Sequence, residues 1–343
     1  MIRNHPKMLH FISHLRIISM ILIISYHSLC FYAGIWWYLT TDIIPLWRIL
    51  ASPIVKTGLS LFFCISGFLF GFNFIHKQKY KKTYSFFINK VKRIIIPYLF
   101  WGSILIVTMP VIHVSWINFI TGPAHLWFLL VLFELFIFTY PLLKYNVISK
   151  KNTSKKDKGI DICIIILSFL PLYIWRGLSS HHFILCAEDT LYYLPSFITG
   201  IILTKYCYTD KTPSKYAPTI ILFSLIYMFF LSTTDIPLNS IKYRLPAVLI
   251  ASILIILGSN SLSLDSSNKH ILIIDRNCMG IYIFNQIIIF MLLLPPNLNT
   301  FFCYHPYLGP FILFIISFII PLFLSILFHK LPLLAWTLGE GNK

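Results

Sequence analysis

Three ionisable residues stand within long apolar stretches of this sequence: Arg16, His27 and Glu134. Ionisable groups are costly inside a membrane, so each of them is a candidate for function. Arg16 and His27 lie eleven residues apart, a separation that returns both side chains to one face of a helix, about 16 Å apart along its axis. A fixed cation and a titratable imidazole on one stripe suit a long ligand with an anionic head and a reactive end. A nucleotide thioester such as acetyl-CoA has that shape.

Each of these residues also has an ordinary structural explanation. Arg16 can extend its guanidinium to the lipid head groups, and His27 can be a hydrogen-bonded packing residue. Glu134 can orient the His27 imidazole as a carboxylate partner, or it can be protonated and hydrogen-bonded to another helix. The residue types alone leave these alternatives open.

The composition determines which elements must position these side chains. Of 343 residues, 57% are hydrophobic and 11% are charged, against about 25% charged in soluble domains. These figures exclude an ordinary soluble enzyme, a disordered chain and a disulfide scaffold. They predict an all-α polytopic membrane protein, a single transmembrane domain over 1–343 with no appended soluble domain. Ten apolar runs are candidate spans, of which the fifth and the eighth are short: 11–33, 57–75, 94–114, 124–143, 160–176, 190–205, 217–234, 245–260, 276–295 and 307–328.

The charge of the chain predicts its orientation. Lys and Arg number 28 against 11 Asp and Glu, giving a net charge of +17. With both termini in the cytoplasm, only five basic residues fall on the opposite side: Arg48, Lys56, Arg176, Lys242 and Arg244. Basic residues concentrate in the cytoplasmic loops of membrane proteins, so the sequence predicts an N-in, C-in topology. Topology then accounts for most of the +17, and no nucleic-acid partner is expected.

Five motifs along the chain occur in the order of a known family. They are Arg16 with ten residues before His27, Gly58-Leu-Ser-Leu-Phe-Phe-Cys-Ile-Ser66-Gly67, Lys90-Val-Lys92-Arg93 before Pro97, His125-Leu-Trp127-Phe-Leu, and Gly280-Ile-Tyr282-Ile-Phe-Asn285. In this order they resemble the integral-membrane acyltransferase-3 family, whose members O-acylate bacterial surface carbohydrates and related acceptors. Asn285 stands where many members have histidine, which puts a second catalytic or ligand histidine in doubt.

The resemblance implies that Arg16 and His27 are essential for catalysis. A hydroxyl acceptor needs a base before it can attack a thioester, and histidine suits that role at neutral pH. His27 is therefore predicted to be the general base, with covalent acyl transfer through its ring as the alternative. Arg16 would clamp a donor phosphate, and Glu134 is a further catalytic candidate.

The same resemblance suggests residues for donor binding. Lys90 and Arg93 would bind the nucleotide end of the donor, and Ser66 and Gly67 would line its tunnel. The alternatives are contact with anionic lipid for the basic residues and close helix packing for the Ser–Gly pair.

For the acceptor, the resemblance suggests His125, Trp127, Tyr282 and Asn285. An aromatic residue such as Trp127 can pack on a sugar ring, although a tryptophan at a membrane interface is also typical of an aromatic belt.

The sequence as a whole therefore favours an O-acyltransferase, in the first place an O-acetyltransferase. The expected donor is a cytoplasmic acyl-CoA, and the expected acceptor is a hydroxyl of an extracytoplasmic or lipid-linked carbohydrate. The bacterial cytoplasmic membrane is the expected location, with membrane lipids as partners and no permanently bound cofactor. The alternatives are a transporter or polysaccharide flippase, and an acyltransferase acting on lipid or protein.

Two further constellations are interpreted as chance. His270 and Asp275 have the His-x4-Asp spacing of glycerolipid acyltransferases, without an accompanying glycine-rich motif. A second group, made of His181, His182, Glu188 and Asp189, lacks a zinc-ligand pattern, so no metal site is predicted.

Overall fold

The computed structural model describes most of the chain, and the described parts are built from helices and turns. They are residues 5–36, 43–80, 82–108, 122–148, 155–178, 186–206, 215–234, 236–237, 239–260 and 269–339. No strand occurs within these ranges. The predicted all-α fold class is therefore confirmed.

Fourteen helices are assigned within the described residues. They are α1 (His5–Cys30), α2 (Pro45–Ile75), α3 (Thr83–Lys90), α4 (Ile96–Thr108), α5 (Trp127–Lys144), α6 (Lys155–Leu167), α7 (Leu170–Leu178), α8 (Ala187–Tyr206), α9 (Ala217–Thr233), α10 (Arg244–Asn260), α11 (Lys269–Leu293), α12 (Pro296–Tyr304), α13 (Gly309–Lys330) and the short α14 (Pro332–Ala335).

Length and apolar character identify the protein as a multi-pass membrane protein. Seven described helical segments are long and apolar enough to cross a bilayer, in which a helix satisfies all of its backbone hydrogen bonds internally. Each of the ten predicted spans overlaps a helix, but α9 has only 17 residues and α4 ends where the described residues end. The count of ten and the N-in, C-in orientation stay predictions.

Two predicted spans are modified by proline. The predicted span 160–176 is divided between α6 and α7 at Ser168 and Phe169, just before Pro171, which has no N–H for the helix ladder. Before α4, residues Val91–Ile95 form a π-helical turn. Pro97 cannot donate to the carbonyl of Arg93, which explains why the ladder is irregular at this point.

The chain forms two compact units, and it passes between them more than once. Unit 1 comprises residues 1–62, 215–250 and 261–334, and unit 2 comprises 63–214, 251–260 and 335–343. Helices α1, α9, α11, α12 and α13 belong to unit 1, whereas α3 to α8 belong to unit 2. The prediction of one transmembrane domain over 1–343 stays a prediction.

The core of unit 1 is built around α1, α11 and α13. Apolar side chains of the three helices form one cluster: Met20 and Ile24 of α1, Cys278 and Ile281 of α11, and Phe314, Phe318 and Leu322 of α13. Helix α2 also approaches α1, since the Ser19 hydroxyl donates to the carbonyl of Gly58 at 2.8 Å. This packing holds α1 in place from several sides.

Unit 2 depends on close contact between α2 and α8. A methyl group on Gly67 would overlap the backbone carbonyl of Phe197, and one on Gly200 would overlap that of Cys64. The contact is less tight at Gly71, one turn further along α2, where a methyl group would lie 2.9 Å from the Thr204 hydroxyl and 3.1 Å from the Ile201 carbonyl oxygen. Small residues let two membrane helices approach to backbone contact, so these glycines set the distance between the helices.

We expect Gly67→Ala to destabilise the protein by about 1–3 kcal/mol, because the added methyl group forces α2 and α8 apart. The measurement is the thermal unfolding midpoint in detergent. Gly159→Ala is the matched control, since Gly159 is also helical and has open space around it. An equal or higher midpoint for Gly67→Ala than for this control would contradict the packing role.

Candidate active site

Arg16 is held on α1 by an ion pair within unit 1. Its guanidinium lies 2.9 Å from the Asp275 carboxylate of α11, and both side chains are half-buried. The Ser13 hydroxyl, one turn earlier on α1, donates to the other carboxylate oxygen at 2.9 Å. Asp275 thus fixes the direction of a cation that would otherwise sample many rotamers.

His27 lies near the other end of α1, is buried, and meets α11 a second time. Its Nδ1 is 2.6 Å from the Asn285 side-chain oxygen. The amide nitrogen of Asn285 donates to two carbonyls of its own helix, at 2.7 Å to Tyr282 and 3.2 Å to Ile281. Both polar atoms of the Asn285 side chain are therefore engaged.

The two polar pairs define the register of α1 and α11. Arg16 pairs with Asp275 and His27 with Asn285, so residue numbers increase in the same direction along both helices, which run parallel. Parallel spans require an odd number of crossings between them, and the predicted topology has seven between its first and ninth spans. Between the pairs lie the apolar contacts of Met20 and Ile24.

Aromatic rings surround the imidazole. The ring centroid of Trp36 lies 6.4 Å from that of His27, and Phe290 of α11 packs on Trp36 at 4.8 Å. Tyr26 lies 5.5 Å from the imidazole. These rings place a titratable group in apolar surroundings, where its hydrogen bond to Asn285 carries more weight than it would in water.

Comparison with protein families identifies the chain. A family model described as an acyltransferase domain, Acyl_transf_3, matches residues 9–330, nearly the whole chain. The protein belongs to this acyltransferase family. The match includes most of both units and every residue of the Arg16 and His27 contacts described above. Comparisons with curated proteins and with solved structures find no match.

Glu134 of the acyltransferase engages another helix of unit 2. One carboxylate oxygen accepts from the Thr190 hydroxyl of α8 at 2.7 Å, and the other accepts from the backbone N–H of Cys186 at 3.2 Å. The sequence suggests for Glu134 either a contact with the His27 imidazole or a hydrogen bond to another helix. The structure shows the hydrogen bond to another helix. The His27 imidazole instead has Asn285 as the partner of its Nδ1.

Lys90 occupies an aromatic cage in unit 2. Its ammonium lies 3.3 Å from the ring centroid of Phe136 and 5.6 to 5.7 Å from those of Phe70, Tyr80 and Phe86. Ring faces attract a cation, but they also replace its hydration shell. Burial and, to a smaller extent, the nearby Arg93 lower the pKa of Lys90 to about 7. The cage favours packing over the predicted donor-binding role for this lysine.

The remaining predicted donor residues have different surroundings. Arg93 is exposed on the π-helical turn before α4, so its guanidinium remains a candidate for an anionic ligand. Gly67 takes part in the contact between α2 and α8, which is the packing alternative for the Ser66–Gly67 pair. Ser66 is half-buried beside it.

The predicted acceptor residues do not all lie in one unit. His125 and Trp127 belong to unit 2, where His125 is buried and Trp127 stacks on Tyr193 with ring centroids 6.2 Å apart. Tyr282 and Asn285 belong to unit 1 and lie on α11, both buried. Of these four residues, Asn285 touches the His27 imidazole.

Sequence reasoning missed the role of Asp275. It was paired with His270 as a chance motif, because the ninth span was predicted to begin at 276, whereas α11 begins at Lys269. One signal could have identified this role. Asp275 is an acidic residue in the same helix as a family motif. Of the second chance group, His181 and His182 lie outside the described residues, and Glu188 pairs with Arg176.

The pKa of Lys90 predicts how stability depends on pH. Since folding lowers this pKa from 10.5 to about 7, the unfolded chain binds more protons between these two values. The contribution of Lys90 to stability therefore rises with pH across this window. We expect Lys90→Met to remove this rise, measured as unfolding midpoints from pH 7 to 10.

Lys92→Met is the control for this measurement, because Lys92 is an exposed neighbour on the same turn. It should leave the pH dependence unchanged. Identical pH dependence in Lys90→Met and the wild-type protein would show that Lys90 is not buried as the cage requires.

Proposed function

We propose that this acyltransferase is a membrane O-acyltransferase that moves a short acyl group, in the first place acetyl, from acyl-CoA to a carbohydrate hydroxyl. The family match supports acyl transfer, and the motif resemblance supports a cytoplasmic donor and an extracytoplasmic or lipid-linked acceptor. The bacterial cytoplasmic membrane is the proposed location. The observation that carries the proposal is that His27, which lies on the same helix as Arg16, is hydrogen-bonded to Asn285 of α11.

His27 acts as the general base in this proposal. Its Nε2 takes the proton of the acceptor hydroxyl as the oxygen attacks the thioester carbonyl. The C–O bond forms, the C–S bond breaks, and the leaving thiolate takes the proton from the imidazolium. Such proton transfer contributes about 10²- to 10⁴-fold to a rate. In the alternative mechanism, the same lone pair of Nε2 attacks the thioester carbonyl and forms an acyl-imidazole.

Arg16 binds the anionic part of the donor. A guanidinium presents paired N–H donors that match phosphate oxygens, and Asp275 keeps this fork oriented while no phosphate is present. The separation of Arg16 and His27, about 16 Å along a helix, requires an extended donor whose thioester is remote from its phosphates. Coenzyme A thioesters satisfy this requirement.

We expect His27→Ala to lower acyl transfer by about 10²-fold or more, because the variant lacks the imidazole that takes the acceptor proton. Deletion of the gene should remove acetate esters from surface glycan, as followed by NMR, and the wild-type gene should restore them. Lys79→Ala is the control, since Lys79 is exposed and belongs to none of the five motifs. Unchanged esters in the deletion strain would contradict a carbohydrate acceptor, and full rescue by His27→Ala would contradict the base.

We expect Arg16→Ala to raise the KM for acyl-CoA more than it lowers kcat, because the guanidinium binds a part of the donor that does not react. Arg16→Ala leaves the Asp275 carboxylate without its cation, so the double variant Arg16→Ala with Asp275→Asn is measured beside it. An unchanged KM in both proteins would show that the phosphates bind elsewhere.

A further inference from the structure

We propose that Asn285 is a positioning residue that holds the His27 imidazole in the one neutral tautomer in which Nε2 carries the lone pair. The proposal rests on His27 being the base and extends that proposed function to the group that prepares it. The proposal also gives a role to Asn285, which stands where many members of the family have histidine.

The orientation of the Asn285 amide follows from its hydrogen bonds. Its nitrogen faces the carbonyl oxygens of Tyr282 and Ile281, to which only an N–H can donate. The reverse orientation would set the amide oxygen against two carbonyl oxygens. The side-chain oxygen must therefore be the atom that faces His27, at 2.6 Å.

The proton on His27 follows from that orientation. An amide oxygen only accepts hydrogen bonds, so Nδ1 must be the donor and must carry the hydrogen. In a neutral imidazole the other nitrogen then holds the lone pair, which makes Nε2 the proton acceptor. The helix itself enforces the arrangement, since both carbonyls that hold the amide belong to the preceding turn of α11.

A neutral partner has a further chemical consequence. A carboxylate in this position would stabilise the imidazolium, whereas an amide oxygen fixes the tautomer without adding a negative charge. Asparagine serves histidine in this way in cysteine proteases of the papain type. An amide is also neither a base nor an acyl carrier, so position 285 supplies neither of these roles in this chain.

The matched control for this proposal lies on the same helix. Asn277 is also buried, and its amide nitrogen also donates to a carbonyl one turn back, that of Ile273 at 2.7 Å. Its side-chain oxygen accepts from the Ser325 hydroxyl of α13 at 2.8 Å. Loss of Asn277 thus removes the same kind of buried amide without touching the imidazole.

The deciding experiment compares Asn285→Leu with Asn277→Leu in purified protein, with acyl-CoA as donor and a soluble sugar acceptor. We expect Asn285→Leu to lose at least about tenfold more kcat than Asn277→Leu, with the KM for acyl-CoA unchanged. Unfolding midpoints measured on both proteins separate lost activity from lost folding. If Asn285→Leu is no more impaired than Asn277→Leu, the proposal is wrong.

Asn285→Asp gives a second readout that packing alone would not move. A carboxylate beside the imidazole stabilises the protonated form, so the acidic limb of the pH–rate profile should move to higher pH by about 1–3 units. A variant whose acidic limb stays at the wild-type pH would contradict the proposal. Wild-type activity in His27→Ala would instead overturn the underlying function and is distinct from either result.

Discussion

The parallel pairing of α1 with α11 is the interaction on which the candidate site depends. Polar pairs join the two helices at two levels, Arg16 with Asp275 and His27 with Asn285, and apolar contacts fill the space between them. In a bilayer no water can satisfy a displaced polar group. A slip of either helix would separate both pairs at once, so the pairs fix the register and thereby which residues of α11 face Arg16 and His27.

The rest of unit 1 supports this pairing. Gly58 lets α2 approach α1 closely, and the Ser19 hydroxyl donates to its carbonyl. Near the other end of α1, the Tyr32 hydroxyl donates to the carbonyl of Phe302 and lies where a side chain on Gly309 would otherwise be. These contacts restrain α1 on more than one side, which is what a site assembled from its side chains requires.

The sequence predicted Arg16 and His27 because charged residues are rare in its apolar stretches and their spacing matches one helix face. The sequence also predicted the helices, because long apolar runs leave few alternatives to membrane-spanning helices. It could not predict the role of Asp275, whose place in α11 depends on a helix boundary that hydropathy locates only to within a few residues.

Lys90 and Asn285 show what a sequence pattern leaves undetermined. A basic cluster before a span suggests anion binding, yet the Lys90 ammonium lies among rings contributed by Phe70, Tyr80, Phe86 and Phe136, a contact between residues distant in the chain. Asn285 was recognised as a departure from the family pattern, but its role depends on which of its two polar atoms faces His27. Both details depend on contacts with residues that are distant in the chain, Phe70 and Phe136 for Lys90 and His27 for Asn285.

The most direct test of the central claim is a nitrogen NMR measurement on the His27 ring. Protein labelled with ¹⁵N-histidine is compared with the His27→Gln variant, so that the difference identifies the two ring nitrogens. At a pH where the ring is neutral, we expect the tautomer with a protonated Nδ1 and an unprotonated Nε2. A proton on Nε2 would contradict this expectation, because the lone pair would then face Asn285 and could not serve as the base.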